Sequence, residues 1–345
     1  LQRPRPLPEL RRQTHDGYRL FRLWPAWIGH SDSLVYTHTV PPIDVRVEST
    51  EIVIALVGAI GTDIAGAAIA LERALNEVSY TSVRINVLNL ALDIARWHVA
   101  DEARYDERMH ARMNCGNRCR EELGRPDALA LLSIARIHEL RTAAGAQLRT
   151  AYILSSLKRP EEIAALHAAY GDSLYVIALH CPQARRAELL SERIAASYGS
   201  RPNSHRSGAL GLMKRDLREL GTPFGQNLRD TFHLADVFLD GTSTETLWAS
   251  ASRSVEILFG HPFRTPTPEE CGMFHAYGAG LRSASPTRQV GAALMRGGDI
   301  LALGTNEVPR AFGGQYWEGD TDDGRDYSQN ADFTTRVAYE ILSDI

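Results

Sequence analysis

The sequence has few cysteines and no excess of positive charge. Four cysteines in 345 residues are too few for the disulfide framework of a small secreted protein. No amino-terminal stretch has the charged, apolar and small-residue order of a signal peptide, so we expect a reducing, cytoplasmic setting. A net charge of −4 gives no chain-wide reason to expect binding to duplex nucleic acid or to an acidic membrane surface.

The sequence also lacks a long hydrophobic run without interruption. The best candidate, IVIALVGAIGTDIAGAAIAL over residues 52–71, is about long enough to span a bilayer. However, Asp63 lies near its middle, where a carboxylate is costly in a membrane, and three glycines interrupt it. Its β-branched first part and alanine-rich second part instead predict a strand, a loop and a helix. We therefore expect no membrane association through this segment.

The length of the chain allows two domains of ordinary size. Residues 1–48 are rich in Pro and Arg, which is typical of a surface-wrapping arm, and a basic arm that grips RNA or a partner is the alternative. Residue 1 is Leu rather than Met, and residues 334–345 have the pattern of an amphipathic helix without a cap. We therefore expect this chain to be a fragment of a longer one.

Strand and helix patterns alternate from residue 51 to about residue 260. This alternation predicts an α/β fold, with a parallel sheet and helices on both of its faces. A loop rich in Ser, Arg and Gly is predicted over 200–209. The predicted strands are 51–58, 80–90, 149–157, 173–180 and a short one at the end of 229–241, and the predicted helices are 63–77, 105–123, 125–142, 158–171 and 181–199.

A proline-rich segment, FGHPFRTPTPEE over 259–270, indicates a domain boundary. Beyond it, the pattern predicts a helix over 270–284 and a hairpin of two apolar strands over 289–309, with its turn at Gly297 and Gly298. The sequence thus divides into an arm (1–48), an α/β domain (49–262) and a second domain (263–345).

The segment GAIGTD, residues 58–63, lies where a phosphate-binding loop would lie, between the first strand and the first helix. Backbone N–H groups and the helix dipole favour an anion there, and glycine allows its close approach. The Walker pattern needs Lys and then Ser or Thr after its last glycine, whereas Gly61 is followed by Thr62 and Asp63. The candidate nucleotide-binding residues are Gly58, Gly61, Thr62 and Asp63.

Three interpretations of this loop stay open. It is a tight turn in which Asp63 or Thr62 caps the helix, a nucleotide or phosphate sensor without phosphoryl transfer, or part of an active kinase. Residues 151–194 resemble the second half of nucleoside monophosphate kinases, in which an Arg-bearing helix closes over the phosphates. Arg185, Arg186 and Arg193 therefore either face such a site or form a solvated helix face. Mg²⁺ would accompany a bound nucleotide.

The order of several motifs along the chain carries a second resemblance. They are GRPDALALLSIA (124–135), LSSLKRPEEI (154–163), FGQNLRDTFHLADVFLDG (224–241), LRSASPTRQVGA (281–292) and GTNEVPRAFGGQYWEGD (304–320). In this order they resemble the bacterial anti-phage dCTP deaminases of the deoxycytidylate deaminase family, over roughly residues 50–345. The resemblance implies a P-loop kinase-like domain followed by the start of a cytidine deaminase-like α/β/α domain.

The function implied by this resemblance is hydrolysis of the 4-amino group of dCTP or dCMP in anti-phage defence. The kinase-like domain would act as a nucleotide-sensing or regulatory module, and whether it binds a nucleotide, an inhibitory RNA or a phage signal stays open. The protein would be a homo-oligomer. Two alternatives stay open. One is an active nucleotide kinase with a deaminase-like regulatory appendage, and the other is a non-catalytic protein that only binds nucleotides.

In that family a Zn²⁺ held by one His and two Cys activates water, with the signature H-x-E followed by P-C-x-x-C. This sequence has no H-x-E, and in His275-Ala276-Tyr277 a tyrosine replaces the acid. Cys115 and Cys119 are four residues apart on a predicted helix, and Cys181 has no cysteine three residues further on. We therefore assign no catalytic or metal-ligating residue in this chain and expect the zinc ligands beyond residue 345.

Part of a substrate pocket does carry over from the resemblance. It assigns Arg282 and Arg288 to the phosphates of a deoxycytidine nucleotide, with Ser283 beside them, and Asn306 to its sugar. Guanidinium groups suit phosphate, and an amide can both donate to and accept from a sugar hydroxyl. The alternative for Asn306 is an amide that caps a turn.

The first prediction concerns metal content. We expect the 345-residue chain to bind no stoichiometric zinc and a longer natural chain to bind one zinc per subunit, because the ligands are assigned beyond residue 345. Elemental analysis of the purified proteins checks this. One tightly held zinc in the 345-residue chain would contradict the ligand assignment.

Overall fold

A computed structural model describes residues 51–97, 104–144, 149–329 and 333–343, so the arm over 1–48 lies outside the described residues. The described chain forms two compact units. The first ends at His261 and the second begins at Pro262.

The first unit is built on a five-stranded sheet. Its strands are β1 (Glu51–Gly58), β2 (Thr81–Asn86), β3 (Thr150–Leu157), β4 (Leu174–His180) and β5 (Val237–Asp240). All neighbouring strands pair in parallel, in the order β2-β3-β1-β4-β5, so β1 lies at the centre. The predicted α/β fold with a parallel sheet is confirmed, and this topology is consistent with a P-loop kinase-like domain.

Helices cover both faces of this sheet. The odd-numbered residues 53–57 of β1 pack in one apolar core, and the even-numbered residues 52–56 pack in the other. Burial on both faces explains why β1 is a continuous apolar run without polar alternation. The helices are α1 (Ile64–Glu77), α2 (Val87–Ala95), α3 (Tyr105–Glu122), α4 (Ala128–Ala144), α5 (Pro160–Tyr170), α6 (Gln183–Tyr198), α7 (Arg206–Leu217), α8 (Leu228–Phe232) and α9 (Thr244–Leu258).

The apolar stretch over 52–71 forms most of β1, the glycine-rich loop and the start of α1, as predicted. Within the described ranges, no helix combines the length and the apolar character needed to cross a membrane.

The strand predicted over 80–90 is too long. It ends at Asn86, whose side chain accepts a hydrogen bond of 3.0 Å from the N–H of Asn89. An asparagine that bonds the backbone in this way is a helix N-cap, so the residues after it begin α2. The apolar pattern alone does not separate the end of a buried strand from the first turn of a buried helix.

The loop predicted over 200–209 is wrong in its second half, where α7 begins at Arg206. This helix forms because Ala209 and Leu212 pack in an apolar cluster with α6. Helix α9 was not predicted from the sequence, and it begins with a capping box formed by Ser243 and Thr246.

The second unit contains a two-stranded antiparallel sheet. Gly297 and Gly298 join its strands with φ values of +60° and +93°, as a two-residue hairpin turn requires. The predicted order of helix, strand and strand is confirmed, although this order alone does not show a deaminase domain. The elements are α10 (Pro268–Gly280), β6 (Gly291–Arg296), β7 (Asp299–Thr305), α11 (Asp326–Gln329) and α12 (Phe333–Ser343).

Two glycines allow α10 to lie directly against β6. A Cβ atom on Gly291 would overlap the carbonyl oxygen of Ala276 and the backbone nitrogen of Gly280. The backbones of helix and strand therefore touch at this point, and an alanine would force them apart.

The second prediction tests this contact. Gly291→Ala should destabilise the second unit by about 1–3 kcal/mol, the usual cost of overpacking. Gly304→Ala is the matched control, because Gly304 lies on the partner strand with open space around its Cα. Amide exchange of residues 268–305 measures the effect. Equal exchange in the two variants would show that the close approach is not needed.

Candidate functional site

The glycine-rich loop lies at the edge of the sheet where the parallel strands end. Gly58 closes β1, and Lys158 directly follows the last residue of the adjacent strand β3. Ligands in open α/β sheets bind outside this carboxyl edge. A cavity of about 200 Å³ opens here, lined by the loop residues 58–62 and by Ile64, Leu88, Tyr105, Met109, Arg112, Met113, Gly116, Arg120, Leu129, Ser156, Lys158, Arg193, Asp216 and Gln226.

Two loop side chains bond to their own backbone. The Thr62 hydroxyl donates to the carbonyl oxygen of Ala59 at 2.7 Å, and a carboxylate oxygen of Asp63 accepts from the N–H of Gly66 at 2.9 Å. Asp63 is therefore the N-cap of α1, as the tight-turn interpretation expects. Gly61 has a φ of +92°, in the region that favours glycine. Because both side chains are used in this way, an anion at the loop would have to bind its backbone N–H groups.

A carboxylate of the protein lies against that backbone. Asp216, near the end of α7 and 1% exposed, accepts a hydrogen bond from the N–H of Ile60 at 2.7 Å through Oδ2. Its Oδ1 accepts from the ammonium of Lys158 at 2.7 Å. The same ammonium donates to the carbonyl oxygen of Gly58, also at 2.7 Å. A backbone N–H and a lysine thus converge on one buried anion.

Lys158 supplies the positive charge that the loop sequence lacks. The segment GAIGTD contains no cationic residue, and Lys158 was not predicted to belong to the site. One signal could have found it: a lysine follows a buried strand directly, and the carboxyl ends of parallel strands meet at one edge of the sheet. Asp216 had no such signal, because its contact with Ile60 spans 156 residues.

A second buried ion pair fixes the backbone of Lys158. Glu162 is 0% exposed and Arg120 is 1% exposed. Glu162 Oε1 accepts from Arg120 Nε at 2.9 Å and Nη2 at 2.7 Å. Glu162 Oε2 accepts from the N–H groups of Lys158 at 2.7 Å and Arg159 at 3.1 Å. This carboxylate therefore ties the first turn of α5 to α3 and holds Lys158 at the end of β3.

The cavity lining is rich in cationic groups. Arg112, Arg120, Lys158 and Arg193 are the cationic residues among the described residues that line it, against the single carboxylate of Asp216. Burial lowers the pKa of Arg112, because a guanidinium loses hydration there. Isoleucine, leucine, methionine and tyrosine side chains form most of the rest of the wall, which also has threonine, serine and glutamine side chains. The cavity can thus hold a molecule with an anionic end and an apolar or aromatic body.

The arginines of α6 divide between the two interpretations given for them. Arg193 lines the cavity. Arg186 packs against Gly61 and donates to the carbonyl oxygen of Cys181 at 3.1 Å. Arg185 instead pairs with Glu188 on the exposed face of the helix, with a distance of 3.3 Å.

Of the four substrate-binding residues predicted in the second unit, three have side chains that bond within it. Asn306 accepts from the N–H of Val290 at 2.8 Å and donates to the carbonyl oxygen of Arg288 at 2.9 Å, as a turn-capping amide does. The side chain of Arg288 is exposed. The Ser283 hydroxyl accepts from the N–H of Ser285 at 3.2 Å. The assignment of these residues to a nucleotide pocket stays a prediction.

Arg282 lies beneath an aromatic ring. Its guanidinium carbon is 3.6 Å from the ring centre of Trp317, and Nη2 donates to the carbonyl oxygen of Tyr316 at 3.4 Å. Trp317 belongs to the segment 310–320, to which the sequence analysis assigned no role. In this arrangement the ring covers one face of the arginine predicted to bind phosphate.

Within the described ranges, no three His, Cys, Asp or Glu side chains lie together as metal ligands do. Burial raises the thiol pKa of Cys115, Cys119 and Cys181, which disfavours the thiolate form that binds metals. The zinc ligands expected beyond residue 345 stay a prediction.

No model of a known protein family matches the chain, and no curated protein matches it significantly. The solved structures that are similar to this chain include two kinases. A gluconokinase from Sinorhizobium meliloti 1021 is 16% identical, covering 61% of this chain and 97% of its own, with a TM-score of 0.27. A protein described as a fructose transport system kinase, from Silicibacter sp. TM1040, is 18% identical, covering 57% and 92%, with a TM-score of 0.31. These scores are too low to carry an argument, so the fold class rests on the sheet topology.

The third prediction concerns the buried pair behind Lys158. Glu162→Gln should destabilise the first unit by about 3–5 kcal/mol, because the Arg120 charge is left buried without its partner charge. Glu188→Gln is the control, since its side chain is 52% exposed, that of its partner Arg185 is 46% exposed, and a surface change of this kind costs about 0.5 kcal/mol or less. Urea unfolding followed by circular dichroism measures both. Similar losses in the two variants would contradict the role given to Glu162.

Proposed function

We propose that the first unit binds a nucleotide or a similar phosphorylated small molecule, with a phosphate on the backbone of residues 58–63 and on Lys158. One observation carries this proposal. The N–H of Ile60 and the ammonium of Lys158 both bond to one buried anionic group, the carboxylate of Asp216. Donors arranged for a carboxylate also suit the oxygens of a phosphate, and the N-terminus of α1 adds its dipole.

The body of the ligand would lie in the cavity and in the groove next to it. This groove has a volume of about 820 Å³ and shares Thr62, Ile64, Ser156 and Arg193 with the cavity. Together they have room for the base and sugar of a nucleotide, whose usual pockets measure about 300–1,000 Å³. Arg112 and Arg193 would face further phosphate oxygens.

Binding without phosphoryl transfer is favoured over kinase activity. Phosphoryl transfer needs a Mg²⁺ ion and fixed positive charge around the transferred group. The glycine-rich loop has no Walker Lys-Ser/Thr pair. Its nearby lysine, Lys158, comes instead from the end of β3 and is already paired with Asp216. We therefore infer a sensing or regulatory module, to which Mg²⁺ would come only with the nucleotide.

Deamination of deoxycytidine nucleotides by a zinc-dependent second unit is the second candidate function. The order of α10, β6 and β7 supports it, since the cytidine deaminase fold begins with a helix followed by two strands. For Arg282 to bind a phosphate on its covered face, Trp317 would have to leave its guanidinium. The assembly into homo-oligomers and the response to RNA or a phage signal belong to this candidate.

The fourth prediction tests nucleotide binding by the first unit. Lys158→Met should weaken binding of ATP, dCTP or dCMP by about 10- to 150-fold, the loss expected for one hydrogen bond to a charged group. Deoxycytidine, which has no phosphate, should bind equally to both forms. Isothermal titration calorimetry at two ionic strengths measures the affinities.

The control for this test is Lys214→Met. Lys158 and Lys214 are the two lysines of the sequence, and Lys214 is exposed on α7 away from the cavity lining. The Lys214→Met variant should bind nucleotides with the same affinity as the unchanged chain. If Lys158→Met binds all three nucleotides as tightly as the unchanged chain, the proposed function is wrong.

A further inference from the structure

We propose that Asp216 is an internal substitute for phosphate, and that a phosphorylated ligand binds the first unit by displacing its carboxylate. This inference rests on the proposed function and assigns the site a built-in competitor. It also identifies the end of α7 as the part of the unit that responds to the ligand.

The geometry allows one anion at a time in this position. The two oxygens of Asp216 each make a bond of 2.7 Å, one to the N–H of Ile60 and one to the ammonium of Lys158. A phosphate on the same two donors would lie within a few ångströms of the carboxylate. Two anions at that distance in a poorly hydrated pocket repel each other strongly. The ligand and Asp216 therefore compete for the same donors.

The position of Asp216 in α7 allows its carboxylate to leave. It is the residue before the last one of the helix, and the exposed Leu217 and the extended Arg218 follow it. The apolar contacts of α7 belong to a small cluster with α6, Ile60 and the first turns of α3, which is separate from the two cores of the sheet. A rotation of the side chain or an opening of the last turn thus leaves both sheet cores in place.

The chain is anchored again just beyond this turn. Glu219 accepts from the side chain of Asn117 at 2.7 Å and from the N–H of Gln226 at 3.2 Å. Movement is thereby confined to the residues around 216–218, between the α6–α7 cluster and this anchor. Displacement of the carboxylate would alter a short segment while the rest of the unit keeps its structure.

Because the carboxylate of Asp216 occupies the two donors, it lowers the apparent affinity of the site for the ligand. The affinity falls in proportion to the fraction of molecules in which the donors are free. A neutral side chain at position 216 would compete less, because it lacks the charge that pairs with Lys158. The unchanged chain should therefore bind phosphorylated ligands more weakly than a variant without this charge.

The fifth prediction tests this competition with the full chain. Asp216→Asn should bind ATP, dCTP or dCMP at least about tenfold more tightly than the unchanged chain, as expected when the carboxylate occupies the donors in about nine molecules of ten or more. Asp236→Asn is the matched control. Asp236 also accepts from a backbone N–H, that of Val176 at 2.8 Å, but is absent from the cavity lining. Its affinity should be unchanged, and equal or weaker binding by Asp216→Asn would overturn the inference.

A measurement on the unchanged chain covers the case in which Asp216→Asn does not fold. Saturating dCTP should increase amide exchange in residues 213–218, because the last turn of α7 loses its bond to the loop. Unchanged or slower exchange there would overturn the displacement and leave the proposed function standing. Failure of every nucleotide to bind the unchanged chain and Asp216→Asn would instead reject both.

Discussion

The first unit depends on a single ammonium group, that of Lys158, which joins three segments far apart in the sequence. It bonds to the end of β1 through the carbonyl oxygen of Gly58 and to α7 through Asp216, while its own backbone continues β3. An ion pair of this kind, with Asp216 1% exposed, has to be complete, because a buried charge without a partner is strongly destabilising. The ion pair that connects β1, β3 and α7 is therefore also the centre of the candidate site.

A second buried ion pair, between Glu162 and Arg120, supports the ion pair of Lys158 and Asp216. Glu162 joins Arg120 of α3 to the N–H groups at the start of α5 and so fixes the direction in which the Lys158 side chain leaves the sheet. A site precise enough to recognise an anion needs such support, since a ligand-binding side chain is only as well placed as the backbone that carries it. The two ion pairs explain how a loop without the Walker residues holds the carboxylate of Asp216.

The sequence was informative where one local rule decided the outcome. The apolar run of β1 and the glycines after it predicted a strand, a turn and a helix, and all three are present. Asp63 is the helix cap that one of the three interpretations of the loop expected. It was less informative where a single polar contact ended an element, as at Asn86, and at the site itself. Lys158 and Asp216 act only because the fold brings together residues up to 156 positions apart, which no local pattern reports. At Asn306 a sequence motif predicted contact with a sugar, whereas the amide bonds to the backbone of its own unit in the structure.

The order of strands in the sheet has a consequence for how the chain folds. The central strand β1 is made first, yet its neighbours are β3 and β4, and Glu51 pairs with Thr150. Such distant pairings form slowly, because a long loop must close before any contact is gained. During synthesis about a hundred residues must therefore follow the apolar β1 before its first neighbour, β3, emerges. A nascent chain that has not reached residue 216 would carry the glycine-rich loop without the carboxylate that fills it.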